Sequence, residues 1–348
     1  MKTALVCAVQ APFVLGGAEI LASELREQLA RRGFRVDLVN VPFRWNPVAE
    51  IPRQALAWRL LDVEESNGVP VDLVIPTKFP SYLVRHPRKV AWLFHQHREA
   101  YDLWGTEFCS FRDTDEDREV RDAIHAMDVR GLGECRRVFT ISKNVARRLE
   151  TYNGLTGEAL YPPPRHLGRY RCEGFGDFLL YAGRLDRLKR VSLLVDAMMR
   201  VESAARLVIA GEGPLGPEVL RQVEGLGLTD RVRLAGYVST NELLDLYARC
   251  RAALYAPVNE DYGYVTVEAF CSGKPVVTTN DAGGVLEFVT DGESGLVAEP
   301  TPQGLADAID RLWASDLGRV RDMGEAGRLR VADITWDRVL DALTAEVP

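Results

Sequence analysis

The sequence has few cysteines and lacks long apolar runs. Its six cysteines are scattered without a CxxC pair, a pattern that indicates thiols kept reduced in the cytosol. Nowhere do about 18 apolar residues follow one another, so we expect no membrane-spanning helix. The apolar run at the N-terminus is short and passes straight into a glycine turn, which favours a buried first strand over a signal peptide.

Two further absences disfavour whole classes of function. The turn after the first predicted strand reads Gly16-Gly17-Ala18-Glu19 and not GxGxxG, which argues against a dehydrogenase. There is no excess of positive charge, because 43 basic residues face 50 acidic ones and the net charge is −7. We therefore expect no nucleic-acid partner.

Strand-like apolar runs alternate with helical patterns along the whole chain, which predicts parallel sheets covered by helices. The stretch 162–176 is rich in Gly and Pro, interrupts this alternation and is predicted to link two domains. We expect an α/β protein with Rossmann-like domains over residues 1–165 and 176–330, and a final segment over residues 331–348. Ligands of such sheets bind beyond the carboxyl ends of the strands, so the interdomain cleft is the predicted site.

The segment 256–277 holds several candidate site residues. A polar loop with Glu260 and Asp261 follows a buried strand and leads into a short helix. A helix N-terminus favours an anion, and Gly263 allows a ligand to approach the backbone. Glu268 lies inside the helix and could contact the same ligand as Glu260 at a second point. The alternative is that Asp261 is only an N-cap and Glu268 an exposed helix residue.

Arg184 and Lys189 follow the first predicted strand of the second domain. A planar guanidinium and a compact ammonium both suit a diphosphate, and its departure as a leaving group builds negative charge that cations stabilise. The alternative is a solvated basic turn that pairs with Asp186.

Other strand-to-helix turns contain glycines. Gly16 and Gly17 could bring backbone N–H groups up to a phosphate, although such a pair is often only a turn. Gly211, Tyr237 and Val238 lie at two later turns and would form either the wall of a nucleobase pocket or ordinary turns.

His95 and His97 alternate at the end of a predicted strand in the first domain. They could ligate a metal from one face, but no third ligand follows at a suitable spacing. His95 could instead face the cleft as a polar or acid–base group, or it could be purely structural. Tyr101 and Trp104 would stack on a sugar ring or pack in the core.

Taken together, four motifs resemble those of the retaining glycosyltransferases of family 4. They are GGAE at 16–19, the Gly-Arg-x4-Lys motif at 183–189, the Glu-x7-Glu motif at 260–268, and DAGGVLEFVTDGESGLV at 281–297. The resemblance covers nearly the whole chain. It implies the GT-B architecture, in which two Rossmann-like domains face each other, the N-terminal one binds the acceptor and the C-terminal one binds the nucleotide sugar. It also implies that the last helix packs back on the N-terminal domain.

The resemblance also implies roles for single residues. Arg184 and Lys189 would hold the diphosphate and stabilise its departure, Glu260 would contact hydroxyls of the donor sugar, Glu268 would bind the ribose, and His95 would lie beside the sugar. The remaining implied contacts to sugar and phosphate come from backbone groups at Gly16, Gly17, Tyr262, Gly263 and Tyr264.

The chain departs from the family pattern at Asp261-Tyr262-Gly263, where Gly-Phe-Gly is usual. Tyr262 is expected to narrow that end of the site and alter the choice of sugar. No covalent nucleophile is evident, which fits a same-face displacement. No DxD pair lies where a metal-dependent transferase keeps one, so activity is expected without a metal or other cofactor.

The prediction is thus a cytoplasmic retaining glycosyltransferase that uses a UDP- or GDP-linked donor and a sugar or lipid-linked acceptor, in polysaccharide or glycolipid synthesis. An epimerase or phosphorylase on the same fold, or a non-catalytic two-domain binding protein, remain alternatives. Peripheral contact with the inner membrane face is left open, because five basic residues of the first domain form either a solvated face or a lipid-docking surface. These are Arg136, Arg137, Lys143, Arg147 and Arg148.

Overall fold

The computed structural model describes residues 1–12 and 16–347. It divides into two compact units. The N-terminal unit comprises Met1–Arg165 with Ile334–Pro348, and the C-terminal unit comprises His166–Asp333. Both contain parallel sheets flanked by helices, which confirms the expected α/β class.

The main strands of the N-terminal unit pair in parallel in the orders β2-β1-β5 and β6-β7-β8, and a parallel bridge between Val74 and Lys89 joins the two groups. The strands are β1 (Thr3–Gln10), β2 (Arg35–Pro42), the hairpin β3 (Glu65–Ser66) and β4 (Val69–Pro70), β5 (Leu73–Pro76), β6 (Val90–Leu93), β7 (Arg137–Thr140) and β8 (Glu158–Ala159). The helices are α1 (Gly17–Arg31), α2 (Ile51–Leu60), α3 (Asp115–Gly133) and α4 (Lys143–Asn153).

The C-terminal unit has one parallel sheet in the order β11-β10-β9-β12-β13-β14. Its strands are β9 (Phe178–Ala182), β10 (Arg206–Ala210), β11 (Val232–Gly236), β12 (Ala252–Leu254), β13 (Val276–Thr279) and β14 (Gly295–Ala298). Its helices are α5 (Val191–Met198), α6 (Gly216–Gly225), α7 (Thr240–Arg249), α8 (Tyr264–Cys271), α9 (Pro302–Ala314) and α10 (Leu317–Arg330). The strand order reverses between β9 and β12, and ligands of doubly wound sheets bind at such a reversal.

The last helix, α11 (Trp336–Thr344), packs on the N-terminal unit. The ring of Trp336 lies 6.1 Å from that of Trp92 in an edge-to-face arrangement. Arg32 adds an ion pair with Asp341. The end of the chain is therefore held by aromatic contact and by charge.

Glycines allow the turns after β9 and β10 to touch. Gly211, Gly213 and Gly216 spell GxGxxG after β10, whereas the turn after the first strand of the chain lacks this pattern. A Cβ atom on Gly211 would lie 1.9 Å from the Gly183 carbonyl oxygen, and one on Gly213 would lie 2.4 Å from that of Leu185. Gly211 and Gly213 therefore allow the two neighbouring turns to pack closely.

A glycine in α10 makes a similar contact and generates a prediction. A Cβ atom on Gly324 would lie 2.0 Å from the Gly273 carbonyl oxygen. We expect Gly324→Ala to lower the free energy of unfolding by more than about 2 kcal/mol, because backbone atoms must shift. Gly225→Ala is the control: its Cβ would meet no atom within 4 Å, and it should stabilise the protein by about 0.5 kcal/mol. Equal free energies of unfolding for the two variants, measured with urea, would contradict this packing.

Candidate active site

The carboxyl ends of β9 and β12 carry the central residues of the candidate site. The turn after β9 contains Lys189, and the loop after β12 contains Glu260. The Lys189 ammonium forms an ion pair with the Glu260 carboxylate, although 71 positions separate them in the sequence. The fold thus brings two predicted catalytic residues into contact at the reversal of strand order.

Tyr255 contacts both members of this ion pair. Its hydroxyl donates a 2.9 Å hydrogen bond to Oε2 of Glu260, and its ring centroid lies 5.8 Å from Nζ of Lys189. Burial would lower the pKa of Lys189, but the Glu260 carboxylate outweighs burial, so the pKa is raised. Lys189 is therefore a cation at neutral pH.

Arg184 lies in the same turn and is more open to solvent. Its side chain is 56% exposed, and its Nε atom lies 4.0 Å from the Asp186 carboxylate. The Tyr181 hydroxyl donates a 2.7 Å hydrogen bond to the Arg184 carbonyl oxygen and fixes the backbone there. Arg184 therefore has a fixed main chain and a side chain that reaches into solvent.

Glu268 is only partly accessible, so it is not the exposed helix residue of the alternative interpretation. The Tyr247 hydroxyl donates a 2.8 Å hydrogen bond to its Oε2 atom. Burial raises the pKa of Glu268 to about 7, although the hydroxyl groups of Tyr247 and Tyr170 oppose the rise. A carboxyl with a pKa near neutrality inside a ligand-binding fold is a candidate functional group.

The loop before α8 places Gly263 and Tyr264 at the helix start. Gly263 is the N-cap with a φ of +84°, and a Cβ atom on it would lie 2.7 Å from the Val285 side chain, whereas its predicted approach to a ligand stays a prediction. Tyr262 differs from expectation, because it is only 2% exposed and its ring packs edge-on against Tyr264 and Phe288. Its ring therefore presents almost no surface to a sugar, and any effect on sugar choice must be indirect.

Tyr237 and Val238 share a cavity of about 410 Å³ beside β11 and α7. Tyr237 is 79% exposed, which is unusual for a tyrosine and leaves its ring available for stacking. Gly211 is not among the residues that line this cavity. Its amide donates a 2.8 Å hydrogen bond to the Gly236 carbonyl oxygen, so Gly211 matches the ordinary-turn alternative.

In the N-terminal unit, His95 and His97 have different surroundings. Nδ1 of His95 lies 2.8 Å from the Gln96 carbonyl oxygen, which only accepts, so Nδ1 carries a proton. His97 is buried and stacks in parallel on Trp45 at 5.5 Å. Burial, with a smaller effect of His95, lowers its pKa to about 4. Over residues 1–12 and 16–347, no three His, Cys, Asp or Glu side chains are grouped as metal ligands.

The turn with Gly16 and Gly17 contains a charged pair. The Gly16 amide donates a 2.9 Å hydrogen bond to Glu19, whose carboxylate also contacts the buried Lys78 ammonium at 2.5 Å. A phosphate at the Gly16 amide would therefore have to displace Glu19. Leu15, which opens this motif in the sequence, lies outside the described residues.

The two aromatic residues that follow His97 differ in burial. Tyr101 is buried and donates a 2.7 Å hydrogen bond to Asp128, so it belongs to the core. Trp104 is partly exposed and lies 4.7 Å beneath the Arg121 guanidinium. Neither arrangement resembles a free stacking surface for a sugar.

The predicted basic cluster of the N-terminal unit is not one exposed patch. Arg148 is 5% exposed and lies 3.0 Å from Asp102, and Arg137 lies 2.7 Å from Glu158. This pairing disfavours a lipid-docking surface, and Arg148 is too buried to belong to a solvated face. Among the described helices, none is both long and apolar enough to cross a bilayer.

Sequence patterns alone missed several residues that touch the site. They are Tyr181, Arg190, Tyr247 and Tyr255. The three tyrosines are at most 3% exposed, and a buried phenol needs a hydrogen-bond partner, so their hydroxyl groups were a usable signal. No local signal marks Arg190, because its acceptors lie 66 to 91 positions further along the chain.

The Glu268 carboxyl predicts a pH dependence of stability. Its pKa of about 7 in the folded protein lies above the usual value, so its contribution to stability is present at low pH and is lost as the pH rises through 7. Relative to Glu268→Gln, the wild type should lose on the order of 1–3 kcal/mol between about pH 5 and about pH 8.5. Urea unfolding of both proteins measures this. A free-energy difference that stays constant with pH would contradict the buried carboxyl.

Comparisons with known proteins identify relatives of this chain. Residues 174–330 match the family model described as glycosyl transferases group 1. An uncharacterized glycosyltransferase of Methanocaldococcus jannaschii is 25% identical, and the alignment covers 97% of this chain and 96% of the relative. Seven further relatives, 29–35% identical, are matched over only 33–51% of their own length.

Solved structures are similar over the whole chain. Sucrose-phosphate synthase from Thermosynechococcus elongatus has a TM-score of 0.78 and 21% identity, covering 99% of this chain and 97% of that one. Anabaena HepE, solved in complex with UDP and glucose, has a TM-score of 0.72 and 18% identity, covering 99% and 100%. Residues 174–330 thus match the group 1 glycosyl transferases, and the chain is a glycosyltransferase with the GT-B fold.

Proposed function

We propose that the chain transfers a sugar, with retention of its anomeric configuration, from a UDP- or GDP-linked donor to a hydroxyl group of a sugar or lipid-linked acceptor. The observation that carries this proposal is the Lys189–Glu260 ion pair at the reversal of strand order in the C-terminal unit. In this proposal the C-terminal unit binds the donor and the N-terminal unit binds the acceptor. The HepE structure, which contains UDP and glucose, supports the choice of donor class.

The donor diphosphate would bind at Lys189 and Arg184. Both side chains belong to one turn, and the start of α8 adds the positive end of a helix dipole. When the bond from the sugar to the diphosphate breaks, negative charge develops on the departing oxygen, and these cations stabilise it. Glu268 would accept hydrogen bonds from the ribose hydroxyls in its ionised form.

Glu260 would select the sugar. In a nucleotide sugar the sugar is attached directly to the second phosphate. A phosphate oxygen that shares the Lys189 ammonium therefore brings sugar hydroxyls within reach of Glu260. Because Tyr255 already fixes one carboxylate oxygen of Glu260, the position of this acceptor is set before the donor binds.

The transfer needs no covalent nucleophile in this scheme. The bond from the anomeric carbon to the phosphate oxygen breaks as the acceptor oxygen bonds to the same face of that carbon. The proton of the acceptor hydroxyl passes to the departing phosphate oxygen. His95 would lie beside the sugar and, as a neutral imidazole, accept a hydrogen bond through Nε2. No metal or other cofactor takes part, and the protein would work in the cytoplasm.

Lys189→Ala tests the donor site. We expect it to lower turnover by roughly 100- to 1000-fold, because the leaving group loses a charge-assisted contact in the transition state. Arg206→Ala is the control, because Arg206 is an exposed cation at the opposite end of the sheet that pairs with Asp177 at 3.2 Å. Circular dichroism checks that both variants fold. Near-normal turnover by Lys189→Ala would refute the assignment of the donor site.

The donor class is tested by thermal shift in EDTA with UDP, GDP, ADP, TDP and their sugar conjugates. One nucleotide should raise the melting temperature, and one of its sugar conjugates should raise it further. The product formed with that donor is then analysed by NMR. An inverted anomeric centre would refute retention, and activity that returns only with Mn²⁺ or Mg²⁺ would refute metal independence.

A further inference from the structure

Arg190 directly follows the candidate catalytic lysine and has an unusual backbone. Its φ is +49° and its ψ is 41°, the left-handed conformation that favours glycine. A residue with a side chain adopts this conformation at a cost, so other contacts must hold it there. The chain turns at this point from the short 3₁₀ turn that contains Lys189 into α5.

The Arg190 guanidinium makes five hydrogen bonds within the C-terminal unit. Nε donates to the Ala256 carbonyl oxygen at 2.9 Å. Nη2 donates to the Pro257 carbonyl oxygen at 3.0 Å and to the Thr279 hydroxyl at 2.9 Å. Both terminal nitrogens donate to the Asp281 carboxylate, at 2.8 and 2.7 Å. A lysine could not reproduce this planar arrangement of donors.

Two of these acceptor residues lie in the loop after β12, which carries Glu260, and the other two lie at the end of β13 and in the loop after it. The loop after β12 is bonded to the loop after β13 through its main chain: Asn259 donates to Asp281 at 2.9 Å, and Glu260 donates to Ala282 at 3.1 Å. The Gly284 amide returns a 2.7 Å hydrogen bond to the Glu260 carbonyl oxygen. The guanidinium therefore ties the turn after β9 to both loops at once.

We propose that Arg190 is a positioning residue, which fixes the Glu260 loop relative to Lys189 and thereby sets how the donor sugar is held. This inference rests on the proposed function, because it assumes that Lys189 binds the diphosphate and that Glu260 binds the sugar. Arg190 contacts neither substrate. Its effect should therefore appear at the sugar and not at the nucleotide.

The experiment compares Arg190→Gly, Arg190→Ala and Arg190→Lys with the wild type. Glycine accepts the left-handed backbone without cost, so Arg190→Gly removes the guanidinium alone, whereas Arg190→Ala keeps the backbone strain as well. Two quantities are measured: the Kd of the free nucleoside diphosphate and the turnover of its sugar conjugate. The probes are UDP with UDP-glucose, or GDP with GDP-mannose, whichever pair stabilises the wild type in the thermal shift.

Arg231→Gly is the matched control. Arg231 donates to the carbonyl oxygens of Val201, Ser203 and Ala205 at 2.8 to 3.2 Å, so it too joins separate segments of the C-terminal unit. It lies at the amino end of the same sheet, just before β11. Its loss should lower stability but leave both measured quantities of the folded protein unchanged.

We expect Arg190→Gly to leave the Kd of the nucleoside diphosphate within about twofold of the wild type and to lower turnover by roughly 100-fold, because the sugar is misplaced. The turnover of Arg190→Lys should lie between that of the wild type and that of Arg190→Gly. If Arg190→Gly loses only stability, as Arg231→Gly does, or if it loses nucleotide affinity and turnover together, the inference is overturned. A wild type that binds neither UDP nor GDP would instead refute the proposed function.

Discussion

The ion pair between Lys189 and Glu260 is the contact on which the candidate site depends. It joins the turn after β9 to the loop after β12, and it forms only when these strands lie side by side in the assembled sheet. A partly buried pair is favourable when each charge keeps its partner and its hydrogen bonds. Tyr255 supplies such a bond, and a diphosphate would bring a second anion to the same ammonium.

Two buried ionisable groups of this chain, Lys89 and Glu268, differ in how their hydrogen bonds are satisfied. The fully buried Lys89 of the N-terminal unit donates to three carbonyl oxygens at 2.8 to 2.9 Å, so it has an acceptor for each N–H group and links α3 to the segment before β6. Glu268 receives one hydrogen bond from Tyr247, and its pKa rises to about 7. A carboxyl whose pKa is raised by burial weakens the folded protein at high pH, and such groups cluster at functional sites.

Much of the fold follows from local patterns, whereas the site follows from them only in part. The alternation of apolar runs predicts parallel sheets, and the motifs at 183–189 and 260–268 indicate Lys189 and Glu260 as candidate site residues. The same patterns assign Tyr262 to the sugar end, but its ring is buried against Phe288. Side-chain direction in a loop depends on what packs behind it, and that neighbour lies 26 positions away in the sequence.

By itself the sequence determined the α/β class, the strand ends at which a ligand site is expected, and the charged residues available there. These depend on periodicity and on residue type, which are local properties. Only the tertiary structure decided that Lys189 pairs with Glu260, that Tyr247 holds Glu268, and that Arg190 ties three loops together. Each of these contacts joins residues 21 to 91 positions apart, and their distance is set by strand order and packing.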